Sequence, residues 1–366
     1  MNTKRSQGTR KVESEQGKVT IGIDLGDRFS HYCILNGEGK VIEAGRIKTS
    51  REAFTAHFQD LPPARIAVEA GTHSAWVSRL LEESGHEVLV ANAREIPTIS
   101  HSNKKNDNGD AEKLARDARY DPKLLSPIKH RSPSAQLDLA VIRVRERLLA
   151  ARTMLINATR GIVKSSGYRL RSCSAESFAK QSRSQVPKVL SEILIPMLDQ
   201  IATLTEQIRG FDQRIEQMAE SKYPETQVLR GVKGVGALTA MSLVLTVGDA
   251  RRFGKSRDVG CYLGLRPRRS QSGERDPQLG ITKAGNRPLR ATLVQCAQYV
   301  LGPFGPDSAL RRWGLTLAQR GGKNAKQRAI VAVARKLAVL LHRLWVTQKP
   351  YEPFYGLPAG AVPATR

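Results

Sequence analysis

Apolar positions recur along this chain with two different periods. Residues 19–26, VTIGIDLG, form a β-branched run that closes on Asp24 and Gly26, the pattern of a buried strand. Residues 31–49 continue as a hairpin that turns at Asn36–Gly39. REAFTAHFQDL predicts a short helix, RIAVEAG a strand ending at Glu69, HSAWVSRLLEESG a helix stopped by Gly85, and HEVLVANA a further strand. The order β-β-β-α-β-α-β over residues 19–94 predicts an α/β domain on a mixed sheet.

Helical spacing takes over afterwards. NKKNDNGDAEKLARDARY, residues 103–120, opens a helix rich in Ala, Arg and Lys. Residues 134–165 place Leu137, Val141, Val144, Leu148, Ala151 and Leu155 three and four apart, and 188–221 resume the pattern from Leu190 to Met218. The two stretches can pair as a long antiparallel hairpin, within one subunit or between two, across a Ser-rich loop at 171–187. A Gly-rich shift at 222–236 then opens a mostly helical C-terminal region. The expected organisation is a disordered leader (1–17), an α/β domain (18–130), a helical or coiled-coil spacer (131–222), a mostly α-helical domain (223–345) and an extended tail (346–366).

Composition narrows the function. The 366 residues carry 59 Lys+Arg against 34 Asp+Glu, a net charge of +25, with 5% aromatics. A polyanion is the expected partner, reached through phosphate contacts rather than base stacking. No apolar run is long enough to span a bilayer, the leader has no apolar core of a secretion signal, and Cys33, Cys173, Cys261 and Cys296 are scattered. A cytoplasmic protein without zinc or disulfides is expected.

Four acids stand out against this basic background. Asp24 and Glu69 end strands, and Asp107 and Asp110 sit three apart at a helix entry, where one face can carry both. Taken singly, each is an ordinary turn or cap residue. Together they are the oxygen ligands that a two-ion phosphoryl-transfer site needs, with Mg²⁺ (or Mn²⁺) as the matching hard cation.

Two segments in the C-terminal half point to phosphate. Gly234-Val235-Gly236 in VLRGVKGVGALTAMSLVLTVGD has the form of a helix-hairpin-helix turn, which offers backbone N–H groups to DNA. Between Asp249 and Arg290 there are eleven Lys/Arg and four Asp/Glu, and helical spacing lapses from 266 to 284. That loop holds Arg266, Arg268, Arg269, Ser270 and Ser272. A serine acts as a nucleophile only when a base, a metal or cations support it. Further on, Lys323, Lys326 and Arg328 start a helix whose apolar face is core, and they read as a solvated face.

IGIDLG…HYCIL, AVEAG and NDNGDAEKLAR resemble the ribonuclease-H-like (RuvC-like) DEDD domain of transposases of bacterial insertion sequences, the one-hundred-and-ten family. LGLRPRRSQSG…GITKAGNRPLR resembles the C-terminal transposase domain of the same family. Both motif sets occur in the family's order, over roughly 19–120 and 228–345; the tract before Asp107 departs from the pattern, with Asn106 where a hydroxyl residue is usual. The resemblance implies a bridge-RNA-guided serine recombinase acting as a dimer or tetramer on the element's ends and target DNA. It makes Asp24, Glu69, Asp107 and Asp110 the metal-binding catalytic acids and Ser272 the nucleophile that forms a covalent phosphoserine, with Ser270 the alternative. Gly234, Gly236, Arg266, Arg268, Arg269, Lys283, Asn286, Arg287 and Arg290 would contact nucleic acid. A metal-only junction nuclease and a non-catalytic nucleic-acid-binding protein are the competing readings. An actin-like sugar kinase is disfavoured, because the second glycine-rich nucleotide motif is missing.

Overall fold

The computed structural model of the chain describes residues 19–92, 107–271 and 279–355. These cluster into two compact units that divide between His130 and Arg131. The leader at 1–17, Asn106, Ser272 and the end of the tail lie outside the described residues.

The first unit alternates strands and helices in the order β1 (Thr20–Asp24), β2 (Phe29–Leu35), β3 (Val41–Lys48), α1 (Arg51–Phe58), β4 (Arg65–Glu69), α2 (Ser74–Glu83), β5 (Glu87–Ala91) and α3 (Asp107–Tyr120). The sheet order is β3-β2-β1-β4-β5. The β1-β2 and β2-β3 pairs are antiparallel, and the β1-β4 and β4-β5 pairs are parallel. The hairpin turns where the sequence places it, with Asn36 N–H donating to the Lys40 carbonyl and Gly39 N–H to the Asn36 carbonyl.

Strand alternation gives the sheet two unlike faces. One carries Ile21, Ile23, Ile34, Ile66, Val68 and Val90, packed against Phe54 and Phe58 of α1 and Val77 and Leu81 of α2. Each of these fully buried side chains stabilises the fold by about 1.5–3 kcal/mol relative to exposure. The other face carries small groups, Gly22, Cys33, Ala67 and Ala91, under Ala111, Leu114, Ala115 and Ala118 of α3. The closeness of α3 depends on Gly22. A Cβ there would lie 2.0 Å from the Ala111 carbonyl oxygen and 2.5 Å from the Ala115 nitrogen, both backbone atoms.

The second unit starts with two long helices, α4 (Pro133–Ser165) and α6 (Lys188–Ser221). They run antiparallel within one chain: Arg145 pairs with Asp212, Arg152 donates to Thr205, and Val163 packs on Leu190 and Leu194. The segment 171–187, expected as a loop, contains a short helix, α5 (Phe178–Arg183). Phe178 and Ala179 bury against Leu198 and Ile201, so one aromatic anchor overrides the local serine content.

The remaining helices are α7 (Thr226–Arg230), α8 (Ala237–Val247), α9 (Arg257–Tyr262), α10 (Arg287–Leu301), α11 (Ala309–Gln319) and α12 (Ala325–Thr347). Leu139 and Ile142 of α4, Ile215 and Met218 of α6, and Met241 and Leu245 of α8 share one core. The long helices and the C-terminal helices are therefore packed together. Helix α12 buries Val333, Leu337 and Leu341 beside Leu243 of α8 and Leu293 of α10.

His342 sits inside this core. Its Nε2 lies 2.9 Å from the Ala250 carbonyl oxygen, which can only accept, so Nε2 donates and Nδ1 accepts from the Ser256 hydroxyl at 3.0 Å. The expected tail begins two residues later than 346, because α12 runs to Thr347. It then returns to the unit, where the Pro353 carbonyl accepts from Ala309 N–H at 2.8 Å. Among the described residues, no helix is long and apolar enough to cross a membrane.

Candidate active site

The acids of the first unit are placed by strand register and by the direction of α3. Ile23 pairs with Val68 across the parallel β1-β4 ladder, so Asp24 and Glu69, the next residue of each strand, end side by side. Asp24 follows Gly22 by two residues and Glu69 follows Ala67 by two, so both occupy the face that α3 covers. His31 is the β2 register partner of Asp24 and shares that face.

Helix α3 runs opposite to β1. Near its C-terminus Arg116 and Arg119 donate to the carbonyls of Gly39 and Gly37 in the hairpin turn, and the Ala118 carbonyl accepts from Arg65 at the start of β4. These contacts fix the far end of α3 at the strand starts. The end that carries Asp107 and Asp110 therefore points toward the strand ends, where Asp24 and Glu69 lie.

Asp107 is the first residue of α3, and its side chain is outside the described part. Asp110 is largely buried and ion-paired to Lys113 at 2.9 Å. Asp117 sits nearly two turns further on, toward the strand starts. Among the described residues no three His, Cys, Asp or Glu side chains gather closely enough to hold a metal ion. Asp24, Glu69 and Asp110 share one end of the sheet without forming a closed ligand set. The donors available there are carboxylate oxygens, which fit Mg²⁺ or Mn²⁺ in kind.

In the second unit, α7 and α8 are joined by a turn in which Lys233, Gly234 and Gly236 are exposed, and Gly236 caps α8. Where a helix-hairpin-helix is expected, the chain thus forms a five-residue helix, this turn and an eleven-residue helix. Beyond α9 the backbone makes a narrow antiparallel ribbon. Arg268 N–H donates to the Gly280 carbonyl, Thr282 N–H to Arg266, and Lys283 N–H to Gly264. Two glycines let its base close. A Cβ on Gly264 would lie 2.3 Å from backbone atoms of Ala284, and one on Gly285 would lie 2.1 Å from the Tyr262 carbonyl oxygen; both glycines have positive φ.

The ribbon clamps the two ends of the segment that contains the serines. Arg266, Arg268, Arg269 and Ser270 are exposed on the outgoing arm, and Ser272 lies within 272–278, outside the described residues. On the return arm Lys283 is exposed with φ of 57°. Asn286 caps α10, its Oδ1 accepting from Leu289 N–H at 2.9 Å. Arg290 donates to the Leu263 carbonyl at 2.9 Å and the Ala284 carbonyl at 2.7 Å. Burial, with Arg287 nearby, lowers its pKa. Asn286 and Arg290 thus hold the base of the ribbon, while Lys283 and Arg287 face solvent.

Sequence reasoning did not single out Gly22, His31, Lys113 or the Gly264–Gly285 crossing. Gly22 and Lys113 had a usable signal: Ala111, Ala115 and Ala118 make a small-residue stripe that needs a small partner, and Lys113 stands three residues after Asp110. The glycine crossing joins segments about twenty residues apart and has no local signature.

Residues 226–311 match the Transposase IS116/IS110/IS902 family, and residues 21–166 match the DEDD transposase domain of the IS110 type. The transposase for insertion sequence element IS1111A of Coxiella burnetii is 27% identical over 344 residues, 90% of each chain. The transposase for insertion sequence element IS1328 of Yersinia enterocolitica is 28% identical, over 76% of this chain and 82% of its own. The y4pF/y4sB transposase chain of Sinorhizobium fredii is 30% identical, over 92% of this chain and 87% of its own. With acids at the strand ends of one unit, a basic serine-bearing ribbon in the other and relatives matched along most of its length, the chain belongs to the IS116/IS110/IS902 family of transposases, enzymes that cleave DNA and transfer its strands.

Proposed function

We propose that this transposase exchanges DNA strands through a covalent phosphoserine, with Asp24, Glu69, Asp107 and Asp110 as its metal-binding acids and Ser272 as its nucleophile. The observation that carries the first half is the register of β1 and β4, which ends two parallel strands on adjacent carboxylates, with the acid-bearing end of α3 directed at them. The strand order β3-β2-β1-β4-β5 supports a ribonuclease-H-like reading of this unit. A divalent ion held there, Mg²⁺ or Mn²⁺, would polarise the phosphate and stabilise the departing oxygen.

The chain's own groups supply the rest. Ser272 Oγ loses its proton and bonds to phosphorus, and the 3′-oxygen of the cleaved strand leaves and takes up a proton. A 3′-hydroxyl from the other DNA then attacks the phosphoserine and frees the serine. The number of phosphodiester bonds is conserved, so no nucleotide triphosphate is required. Arg266, Arg268 and Lys283 lie on the two arms that flank the segment containing Ser272, and their charge suits the extra negative charge of five-coordinate phosphorus. Gly234 and Gly236 would meet the DNA backbone through N–H groups. The guide RNA rests on the family resemblance, and a chain of charge +25 has the cations to hold one. A dimer or larger assembly is what exchange between two duplexes requires.

Strand cleavage of the element's ends tests the acid assignment. Asp24→Asn and Glu69→Gln should each lower cleavage by at least about 100-fold, the loss expected when several kcal/mol of charge stabilisation is removed. Full activity in any two of the four acid variants refutes the assignment.

A further inference from the structure

A second run of cations, distinct in sequence from the serine ribbon, lies at the junction of α11 and α12. Between Asp307 and Glu352 the chain carries ten Lys or Arg and no Asp or Glu. Several of these cations are already engaged. Arg312 pairs with Asp307, Arg343 donates to the Tyr355 hydroxyl, Arg311 donates to the Val300 and Gly302 carbonyls, and the Lys336 ammonium sits 4.3 Å over the Trp313 ring.

Four others cluster around the turn, all exposed: Arg320 at the end of α11, Lys323 in the turn, and Lys326 and Arg328 in the first turns of α12. Arg328 folds back so that its guanidinium donates to the Gly321 carbonyl at 3.4 Å, beside Arg320 and Lys323. None of the four makes an ion pair with an acid of the described residues. Four like charges in one short stretch repel one another, and beyond water and counterions an anionic partner relieves that cost.

We infer that Arg320, Lys323, Lys326 and Arg328 form a docking surface for the phosphate backbone of duplex DNA, in addition to the cations of the ribbon arms. The patch suits a duplex rather than a single strand. Residues 320–328 hold no aromatic side chain, so the patch itself offers no ring for base stacking. The charges sit at the ends of long, exposed side chains, which suits backbone contact rather than base reading. Such a surface raises affinity for any sequence and holds DNA on the enzyme while specificity is decided elsewhere. The inference builds on the reading of this chain as a DNA-strand-transferring enzyme but not on the phosphoserine step.

Salt dependence of binding tests it directly. Full-length wild type and Arg320→Ala/Lys323→Ala/Lys326→Ala/Arg328→Ala would be titrated onto a short labelled DNA duplex of arbitrary sequence, by anisotropy across a range of NaCl. Each phosphate contact contributes about 0.9 to the slope of log K against log salt, so the variant should lose about 3–4 units of slope. Arg320→Lys/Arg328→Lys should keep the wild-type slope, and circular dichroism checks that both variants fold. Binding is read in EDTA, where no strand is cut, so the docking surface and the catalytic assignment fail separately. A slope loss below about 2 units overturns the inference. So does a loss confined to an RNA duplex of the same sequence, which would make RNA the partner.

Discussion

Replacing Gly22 with alanine tests how the acid-bearing strand and α3 are held together. The added Cβ would sit 2.0 Å from the Ala111 carbonyl oxygen, and ordinary contact begins at 3.4 Å, so about 1.4 Å of separation must be found. The atoms in the way are backbone, so no side chain can rotate aside. Helix α3 must lift off β1, or β1 must bend. Overpacking of this kind costs about 1–3 kcal/mol, and the rigid partner places it at the upper end. At a urea m-value of about 2–3 kcal/mol/M, the unfolding midpoint should fall by about 1 M. The same lift moves Asp110 away from Asp24 and Glu69. A displacement near 1 Å in a reacting constellation costs about 100-fold in rate, so cleavage should fall by that factor while the protein is still folded. Urea unfolding and single-turnover cleavage of the same preparation read both effects. Gly161→Ala is the control: Gly161 is an exposed residue of α4 with no neighbour within 4 Å of its Cβ position, and the change should stabilise by about 1 kcal/mol. Wild-type midpoint and wild-type cleavage in Gly22→Ala would refute the close crossing.

Other consequences follow from groups outside the acid cluster. Gly285→Ala, with a Cβ 2.1 Å from the Tyr262 carbonyl oxygen and φ of +71°, should open the ribbon base and lower strand transfer more than stability, measured as the cleavage rate against the thermal midpoint. Asp138 is buried, accepts from the Tyr223 hydroxyl at 2.8 Å and pairs with Lys222 at 3.1 Å, so Asp138→Ala should cost about 1.5–3 kcal/mol in denaturant unfolding. Burial first, and then Asp138, raises the Tyr223 pKa above 10.0, so the stability this tyrosine contributes is intact below pH 10 and is lost as pH rises further. Burial lowers the His342 pKa below 6.5, so the folded state takes up that proton later than the unfolded chain. Stability should therefore be full above pH 6.5 and fall as the solution is acidified below it, and His342→Gln should flatten that part of the profile.

The parts of the fold that could be read in the sequence were those set by local pattern. The run Thr20–Asp24, the turn at Asn36–Gly39 and the paired helices Pro133–Ser165 and Lys188–Ser221 are written in alternation, turn chemistry and three-four spacing. Helix Phe178–Arg183 was not legible, because Phe178 is buried among residues distant in sequence, Leu155 and Ile156 before it and Leu198 and Ile201 after it. The acids at Asp24 and Glu69 could be picked out because strands end on them, but their pairing is a matter of register, which one strand alone does not state. Asn286 and Arg290 were legible as polar groups beside a basic loop. Their bonds to Leu289, Leu263 and Ala284 belong to a backbone crossing that no spacing announces.

The central claim is that Ser272 and the strand-end acids carry one reaction, and a covalent-adduct assay meets it most directly. Wild type, Ser272→Ala and Asp24→Asn would be incubated with Mg²⁺, the element's ends, the target DNA and the adjacent non-coding RNA, then resolved on a denaturing gel. The account predicts a protein–DNA adduct in wild type that is absent from both variants. An adduct that persists in Ser272→Ala, or cleavage with no adduct in any lane, would contradict it.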